Sequence, residues 1–409
     1  MSGTRPAAST PQSRATNAPP NADREPAVSP DQLQILPIDF IDLKTQRDRV
    51  RAQVETGWGR VLDHGQYIMG PEVRDLEGRL AKFTGAAEVV SCSNGTDALW
   101  VPLLALGIGP GDAVFLPSWT FTATAEVVCL VGATPVFVDV ELNTMNLSPQ
   151  SLAAAIRLIR QEGRLTPRLV IPVDLFGLPA DYEAISAIAR EEGLKVLADA
   201  AQSFGAAQGN RRVGALADIT ATSFYPSKPL GCWGDGGAIF TDDAELAEAL
   251  RSLRVHGRGT RGKYDNVRIG TNARLDTLQA VVLIEKLAIF EDELAERQRV
   301  ADRYAEGLGR SVAVPRVPSG STSAWAQYTI RTSRRAELQR GLAERGIRTE
   351  IYYPRPLHMQ TPYLDCPVAP GGLAVTERLK DEVLSLPMHP YLTARQSDYI
   401  CSAVRTALS

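Results

Sequence analysis

The alternation of short apolar runs with helical patterns constrains the fold of this chain more than any other feature. Seven runs are almost continuously apolar and predict strands: "AEVVSCS", "DAVFLP", "PVFVDV", "RLVIPVDLFG", "KVLADAA", "ITATSFY" and "GGAIFTD". The segments between them, such as "TATAEVVCLVGA" and "DYEAISAIAREEG", predict helices. Strands that are apolar throughout are buried on both faces. The pattern therefore predicts an α/β fold with a mostly parallel, seven-stranded sheet sandwiched by helices.

The 409-residue chain is too long for one small core, and its pattern changes near Phe290. One long amphipathic helix, starting at Leu275 and ending near Leu308, is predicted to lead away from the sheet. A strand "AQYTIR", a helix "RAELQRGLAERG", a strand "RTEIYY" and closing helices follow it. We expect a disordered tail over residues 1–35, a large domain over 36–290 and a smaller α+β C-terminal domain over 291–409.

Composition excludes several classes of function. The net charge of -3 argues against nucleic-acid binding, and no stretch is long and apolar enough to span a bilayer. The start of the chain has no apolar segment of the kind found in secretory signals. Five scattered cysteines without CxxC spacing and four distant histidines indicate neither a disulfide framework nor a metal site. We therefore expect a cytoplasmic protein with no metal, nucleic-acid or membrane partner.

Polar side chains follow the predicted strands, where ligands gather in sheets of this kind. They comprise an anion-binding helix start, an aromatic side chain, acids and a lysine. A phosphorylated aldehyde cofactor with a planar ring requires this set of groups. In chain order they are Asn94, Gly95, Thr96, Trp119, Asp174, Asp199, Gln202, Ser223 and Lys228.

Lys228 and Asp199 have the most specific chemistry of this set. Lys228 lies in "SFYPSKPLGCWGDGG", a turn rich in Pro and Gly between two apolar strands. A fixed amine there can form a Schiff base if its pKa is lowered, and a solvated turn lysine is the alternative. Asp199 ends a strand, where it could pair with a protonated pyridine nitrogen or simply cap a helix. Gln202 could donate to a phenolate oxygen, or serve only in capping.

The remaining candidates could complete such a cofactor site. Gly95 and Thr96 follow a strand and open a helix, so their free N–H groups could hold a phosphate. Ser223 could add a hydroxyl, although such residues more often serve turns and caps. Trp119, in "LPSWTF", could stack on a planar ring or pack in the core.

Taken together, these motifs resemble those of the DegT/StrS-type sugar aminotransferases, which are fold-type-I enzymes dependent on pyridoxal 5'-phosphate (PLP). The resemblance extends from about Ile38 to the C-terminus. The matching segments are "SCSNGTDAL", "GIGPGDAVFLPSWTFTATAEVVCLVGATPVFVDV", "LADAAQSFGA", "TSFYPSKPLGCWGDGGAIFTDD" and "GTNARLDTLQA".

The resemblance implies a role for each candidate. Lys228 resembles the Schiff-base lysine that also moves protons, with Asp199 and Gln202 as partners of the ring nitrogen and the phenolate oxygen. Trp119 corresponds to an aromatic residue over the ring. Phosphate ligands are implied at Gly95, Thr96, Ser223 and, reaching across a homodimer interface, Asn272.

A narrower resemblance concerns the substrate. "FIDLKTQ", "LDHGQYIMGPEV" and "SLPMHPYL" are similar to the subgroup that aminates a UDP-linked 2-acetamido-3-oxo hexuronic acid with L-glutamate, for bacterial surface polysaccharide. Arg274 could hold the sugar carboxylate, or could be an ordinary surface or interface residue. Tyr352, Tyr353 and His358, in "IYYPRPLHMQ", resemble a substrate-facing segment or could form a packed loop. The alternatives are another UDP- or dTDP-linked keto sugar, a related dehydratase, which Lys228 disfavours, and a non-catalytic regulatory protein.

Overall fold

The computed structural model describes residues 38–262 and 264–409, so the predicted tail at 1–35 lies outside the described residues. Its strands are β1 (Glu88–Cys92), β2 (Asp112–Pro117), β3 (Thr134–Val138), β4 (Thr166–Val170), β5 (Lys195–Asp199), β6 (Ala207–Gln208), β7 (Arg211–Arg212), β8 (Ile219–Ser223), β9 (Gly237–Thr241), β10 (Ser321–Thr322), β11 (Tyr328–Arg331) and β12 (Val383–Leu386). Its α-helices are α1 (Leu43–His64), α2 (Pro71–Thr84), α3 (Gly95–Ala105), α4 (Ala123–Leu130), α5 (Pro149–Glu162), α6 (Tyr182–Glu191), α7 (Ala244–Leu253), α8 (Thr277–Ala288), α9 (Phe290–Leu308), α10 (Arg335–Ala343), α11 (Ala374–Glu382) and α12 (Ala394–Ala407).

The central sheet has seven strands in the order β1-β9-β8-β5-β4-β2-β3, which confirms the predicted architecture. Strand β9 is antiparallel to both β1 and β8, and the other pairings are parallel. Every residue of β8 and β9 is buried, as expected for strands covered on both faces of the sheet. The connection between the antiparallel strands β8 and β9, residues 224–236, contains Lys228, so this lysine lies between two neighbouring buried strands.

Local signals fix the helix ends next to the sheet. Asn94 caps α3 by accepting a hydrogen bond of 2.8 Å from the Asp97 N–H, so the helix begins at Gly95 directly after β1. Helix α1 begins after Asp42, whose carboxylate accepts from two backbone N–H groups. It ends at Gly65, which adopts the left-handed conformation with φ of 69°.

The prediction of one continuous helix between Leu275 and Leu308 is wrong. The segment is divided into α8 and α9 at Ile289, which has φ of -106° and ψ of 2° and lies outside both helices. The Ile289 carbonyl accepts from the Glu293 N–H and starts α9, whose first turn is acidic, as favoured at a helix N-terminus. The apolar periodicity continues across the break, which is why the sequence pattern does not reveal it.

The C-terminal part has its own buried cluster. Strands β11 and β12 form an antiparallel pair, against which side chains of α9, α10 and α12 pack, including Val300, Tyr304, Leu338 and Ile400. The division into two domains near Phe290 stays a prediction. Among the described residues, no helix combines the length and apolar character needed to cross a bilayer.

Candidate active site

Lys228 and Asp199 are brought together by neighbouring strands. Asp199 ends β5 and pairs with Ala221 of β8, and Lys228 follows β8 in the connection to β9. The two side chains interact electrostatically but form no ion pair with each other within the described residues. Desolvation lowers the pKa of Lys228, and the Asp199 carboxylate opposes that shift. The amine is thus closer to neutrality than an exposed lysine, as a nucleophile or a base requires.

Asp199 is a buried carboxylate, only 6% exposed. Desolvation raises its pKa, whereas hydrogen bonds from Thr124 and the Ala201 N–H and the charge of Lys228 lower it. Thr124 Oγ1 donates to Asp199 Oδ2 at 2.8 Å, and the Ala201 N–H donates to Oδ1 at 3.2 Å. Asp199 therefore still lacks the strong cationic partner that a buried carboxylate favours.

Asp174 is also buried but is fully engaged by the protein. Ser203 Oγ donates to it at 2.6 Å, Tyr182 OH at 2.7 Å and the Ala180 N–H at 2.9 Å. Burial raises its pKa to about 7. The contacts of Asp174 are therefore those of a structural acid close to Asp199.

Gln202, Tyr353 and Trp119 are in contact. Gln202 Oε1 accepts a hydrogen bond of 2.7 Å from the Phe176 N–H, and its Nε2 donates to Tyr353 OH at 3.2 Å. The Tyr353 and Trp119 rings meet edge-on, with centroids 6.4 Å apart. Trp119 is fully buried, and its Nε1–H has no partner among the described residues. These residues form one wall of polar and aromatic groups.

Gly95 and Ser223 join the N-terminus of α3 to the end of β8. A Cβ atom added at Gly95 would lie 2.6 Å from Ser223 Cβ and 2.9 Å from its Oγ, so only glycine permits this approach. The N–H groups of Gly95 and Thr96 donate no hydrogen bond within the described residues. Two free N–H groups beside a hydroxyl are donors of the kind that binds a phosphate at a helix N-terminus.

Asn272 and Arg274 line a cavity of about 500 Å³, together with Ile68, Ser93, Asn94, Gly234, Asp235, Asp276 and Gln279. Arg274 Nε donates to Asn272 Oδ1 at 2.8 Å. Among the described residues Arg274 forms no ion pair, although two aspartates line the same cavity. The terminal guanidinium nitrogens are thus available to an outside carboxylate or phosphate.

The two remaining candidates, His358 and Tyr352, lie close to Trp119 and Tyr353. His358 contacts Ser118, the residue before Trp119. The ring Nδ1 of His358 is 2.7 Å from Ser118 Oγ, and the backbone N–H of His358 donates to the same oxygen at 3.1 Å. Tyr352 packs its ring against Phe40 and Tyr353.

The residues present fit a phosphorylated pyridine cofactor. A buried acid without a strong cation ends β5, an amine with a lowered pKa follows β8, and a pair of free helix N–H groups follows β1 in the same sheet. Lys228 would hold the aldehyde carbon, Asp199 the ring nitrogen, and Gly95, Thr96 and Ser223 the phosphate.

Comparison with known proteins identifies the family. The model of the DegT/DnrJ/EryC1/StrS aminotransferase family matches residues 50–405. The chain belongs to this family. It is an aminotransferase that depends on PLP and its aminated form PMP, which confirms the expected activity and cofactor.

Three relatives illustrate the similarity. The chain is 48% identical over 370 residues, 90% of its length and 99% of the relative's, to UDP-2-acetamido-2-deoxy-3-oxo-D-glucuronate aminotransferase from Pseudomonas aeruginosa. A DegT DnrJ EryC1 StrS aminotransferase from Brucella abortus has a TM-score of 0.90 and 53% identity, covering 91% of this chain and all 100% of that one. NtdA from Bacillus subtilis with bound cofactor PMP has a TM-score of 0.82 and 29% identity, and the match covers 91% of this chain and 85% of that one.

Two residues next to the site were not predicted from sequence. Thr124 precedes its acceptor Asp199 by 75 positions. Lys286, on α8, donates to the carbonyl of Gly231, 55 positions away, in the connection that contains Lys228. No local pattern marks either residue, because each acts on a segment far away in sequence.

Proposed function

We propose that this aminotransferase transfers an amino group to a keto sugar carried by a nucleotide, with Lys228 as the catalytic residue. The observation that carries the proposal is the placement of the Lys228 amine and the Asp199 carboxylate at the ends of adjacent strands, without an ion pair. A cofactor ring between an amine and an acid is the arrangement that transamination requires.

The chain's own residues supply acid–base chemistry and orientation. PLP, when bound, supplies an electron-withdrawing ring that accepts the electron pair left by proton removal. The Lys228 amine takes the Cα proton of the amino donor and later delivers a proton to the sugar carbon. Asp199 keeps a proton on the ring nitrogen, and Gln202 Nε2 retains one N–H for the phenolate oxygen. Gly95, Thr96 and Ser223 anchor the phosphate.

The substrate we favour is UDP-2-acetamido-2-deoxy-3-oxo-glucuronate, with L-glutamate as donor, in the synthesis of bacterial surface polysaccharide such as O-antigen. The identity with the Pseudomonas enzyme over nearly its whole length supports this choice. Arg274 supports it independently, because its unpaired guanidinium suits a sugar carboxylate. Tyr352 and Tyr353 would contact the sugar. His358 is better placed to hold Ser118 than to touch substrate.

We further propose that two copies share the site. The resemblance implies that Asn272 reaches the phosphate of a neighbouring copy, and exposed apolar side chains close to the site support such a contact. Ile269, three residues before Asn272, is 95% exposed, and Tyr225, two residues after Ser223, is 55% exposed. A second copy covering these apolar side chains would bring its own Asn272 to the phosphate. Sedimentation of the intact protein as a monomer would contradict this.

The substrate is tested with a glutamate-dependent assay on UDP- and dTDP-linked 3-keto sugars, with and without a carboxylate. We expect the UDP-hexuronate to be favoured, and Arg274→Leu to raise its KM by about 10- to 100-fold, as loss of a charge-assisted pair does. The same variant should change the KM of a sugar lacking the carboxylate by much less. Equal effects on both sugars would contradict the role of Arg274.

The cofactor role is tested separately. Borohydride reduction of the PLP-loaded protein, followed by peptide mapping, is expected to give a pyridoxyl group on Lys228. A pyridoxyl group on another lysine, or on none, would refute Lys228 and favour a non-catalytic or dehydratase-like protein.

A further inference from the structure

Lys286 is a buried lysine that has no role in the proposed reaction. It lies on α8, is 1% exposed, and its Nζ donates to the Gly231 carbonyl oxygen at 2.5 Å. No ion pair involving Lys286 is present in the described residues. Burying an ammonium with only a neutral acceptor costs stability, so we asked what the buried Lys286 ammonium contributes in return.

The carboxylate whose charge acts on Lys286, that of Glu293, does not explain its burial. Glu293 raises the pKa of Lys286, but its carboxylate is occupied by Gln46 Nε2 at 2.8 Å and by Tyr391 OH. Lys286 therefore directs its hydrogen bond to the backbone between β8 and β9.

Gly231 ends a tight turn built around Lys228. The Lys228 N–H donates to the Tyr225 carbonyl at 2.9 Å. A Cβ atom at Gly231 would lie 2.6 Å from that same carbonyl oxygen and 2.5 Å from the oxygen of Pro226, so the two ends of the turn are in contact. A shift of Gly231 would consequently move the backbone of Lys228.

Helix α8 holds this connection at a second point. Gln279 Oε1 accepts from the Trp233 N–H at 2.9 Å, and Gln279 Nε2 lies 3.5 Å from the Trp233 carbonyl oxygen. Gln279 and Lys286 are seven positions apart, about two helical turns, and thus lie on one face of α8. Gln279 fixes Trp233, and Lys286 fixes the end of the lysine turn itself.

We propose that Lys286 is a positioning residue that fixes the turn through the Gly231 carbonyl, so that the Lys228 amine is held facing Asp199. The inference rests on the proposed cofactor role of Lys228. Lys286 acts on the rate at which Lys228 captures the PLP aldehyde, a reaction that forms a C=N bond and releases one water. It does not touch cofactor or substrate.

The test compares Lys286→Met, which keeps the volume and removes the donor, with Lys286→Gln, which keeps a shorter donor. Lys44→Met, at an exposed lysine on α1, is the control. The first readout is hydrogen exchange of the PLP-free protein. We expect faster exchange at the Lys228 and Cys232 amides in Lys286→Met, intermediate exchange in Lys286→Gln, and no change in the central strands.

The second readout is the rate at which PLP-free protein captures added PLP, followed by absorbance. We expect Lys286→Met to slow capture by about 10- to 100-fold, because small displacements of a reacting group have effects of this size. Wild-type exchange and capture rates in Lys286→Met would overturn the proposal. Uniformly faster exchange throughout the chain would also overturn it, by showing a general structural role. If borohydride labelling fails to find Lys228 in the wild type, the proposed function fails instead.

Discussion

Thr124 Oγ1 donates a hydrogen bond to Asp199 Oδ2 at 2.8 Å, linking the first turn of α4 to the end of β5. Both side chains are buried, so water cannot replace the hydroxyl. The contact lowers the pKa of Asp199 against the larger effect of desolvation. Thr124 thus helps to keep the acid ionised where a ring nitrogen would need it.

Replacing Thr124 with Val should weaken the site without altering its shape. A hydrogen bond to a charged group contributes about 1.5–3 kcal/mol, so kcat/KM is expected to fall by about 10- to 100-fold. The pKa of Asp199, already raised by burial, should rise further, which moves the acid limb of the pH–rate profile to higher pH. Thr220→Val is the control, because the Thr220 hydroxyl is buried without a partner in the described residues. Equal profiles for both variants would exclude the role of Thr124.

Lys228→Ala should abolish turnover with any sugar. The variant loses the amine that moves the proton, while Asp199, Ser223 and the α3 N-terminus remain. We expect it still to bind PMP, which needs no lysine, and to give no product in a glutamate-dependent assay. Turnover within tenfold of the wild type would show that another base acts.

Gly95→Ala should separate α3 from β8. Its Cβ would lie 2.6 Å from Ser223 Cβ, and overpacking of this kind costs about 1–3 kcal/mol. We expect lower thermal stability and weaker PLP binding, because the free N–H groups are displaced from the Ser223 hydroxyl. Gly78→Ala in α2 is the matched control, since nothing lies within 4 Å of its added Cβ. That change should instead stabilise the protein by about 0.5–1 kcal/mol.

Lys286→Met should change the pH dependence of stability. Burial lowers the pKa of Lys286 from 10.5 to about 8, so above pH 8 the folded protein has lost a proton that the unfolded chain keeps up to about 10.5. The ammonium therefore costs stability below pH 8, by about 3 kcal/mol, and this cost disappears as the pH rises through that window. We expect the variant to unfold at a higher temperature than the wild type at pH 7, with the gap narrowing towards pH 10. A gap independent of pH would contradict the lowered pKa.

The sequence was sufficient for the fold, the family and the cofactor, because strand ends and the turn around Lys228 carry local signals. Contacts between distant segments left no such signal. Thr124 and Lys286 are an ordinary threonine and lysine in sequence, and only the packing of α4 and α8 places them at Asp199 and Gly231. The break at Ile289 was missed because apolar periodicity continues through it. The assigned roles of the site residues stay predictions.

The antiparallel strand β9 has a consequence for how the catalyst moves. A parallel neighbour would need a crossover, usually with a helix. Residues 224–236, between β8 and β9, contain no helix and fold back on themselves: the Lys228 N–H donates to the Tyr225 carbonyl at 2.9 Å, and the Cys232 N–H donates to the Phe224 carbonyl at 2.7 Å. The backbone of Lys228 is thus a fixed pivot. We expect the proton to travel from one carbon to another by rotation about the four methylene bonds of a side chain, with no lid or hinge in the chain taking part in that transfer.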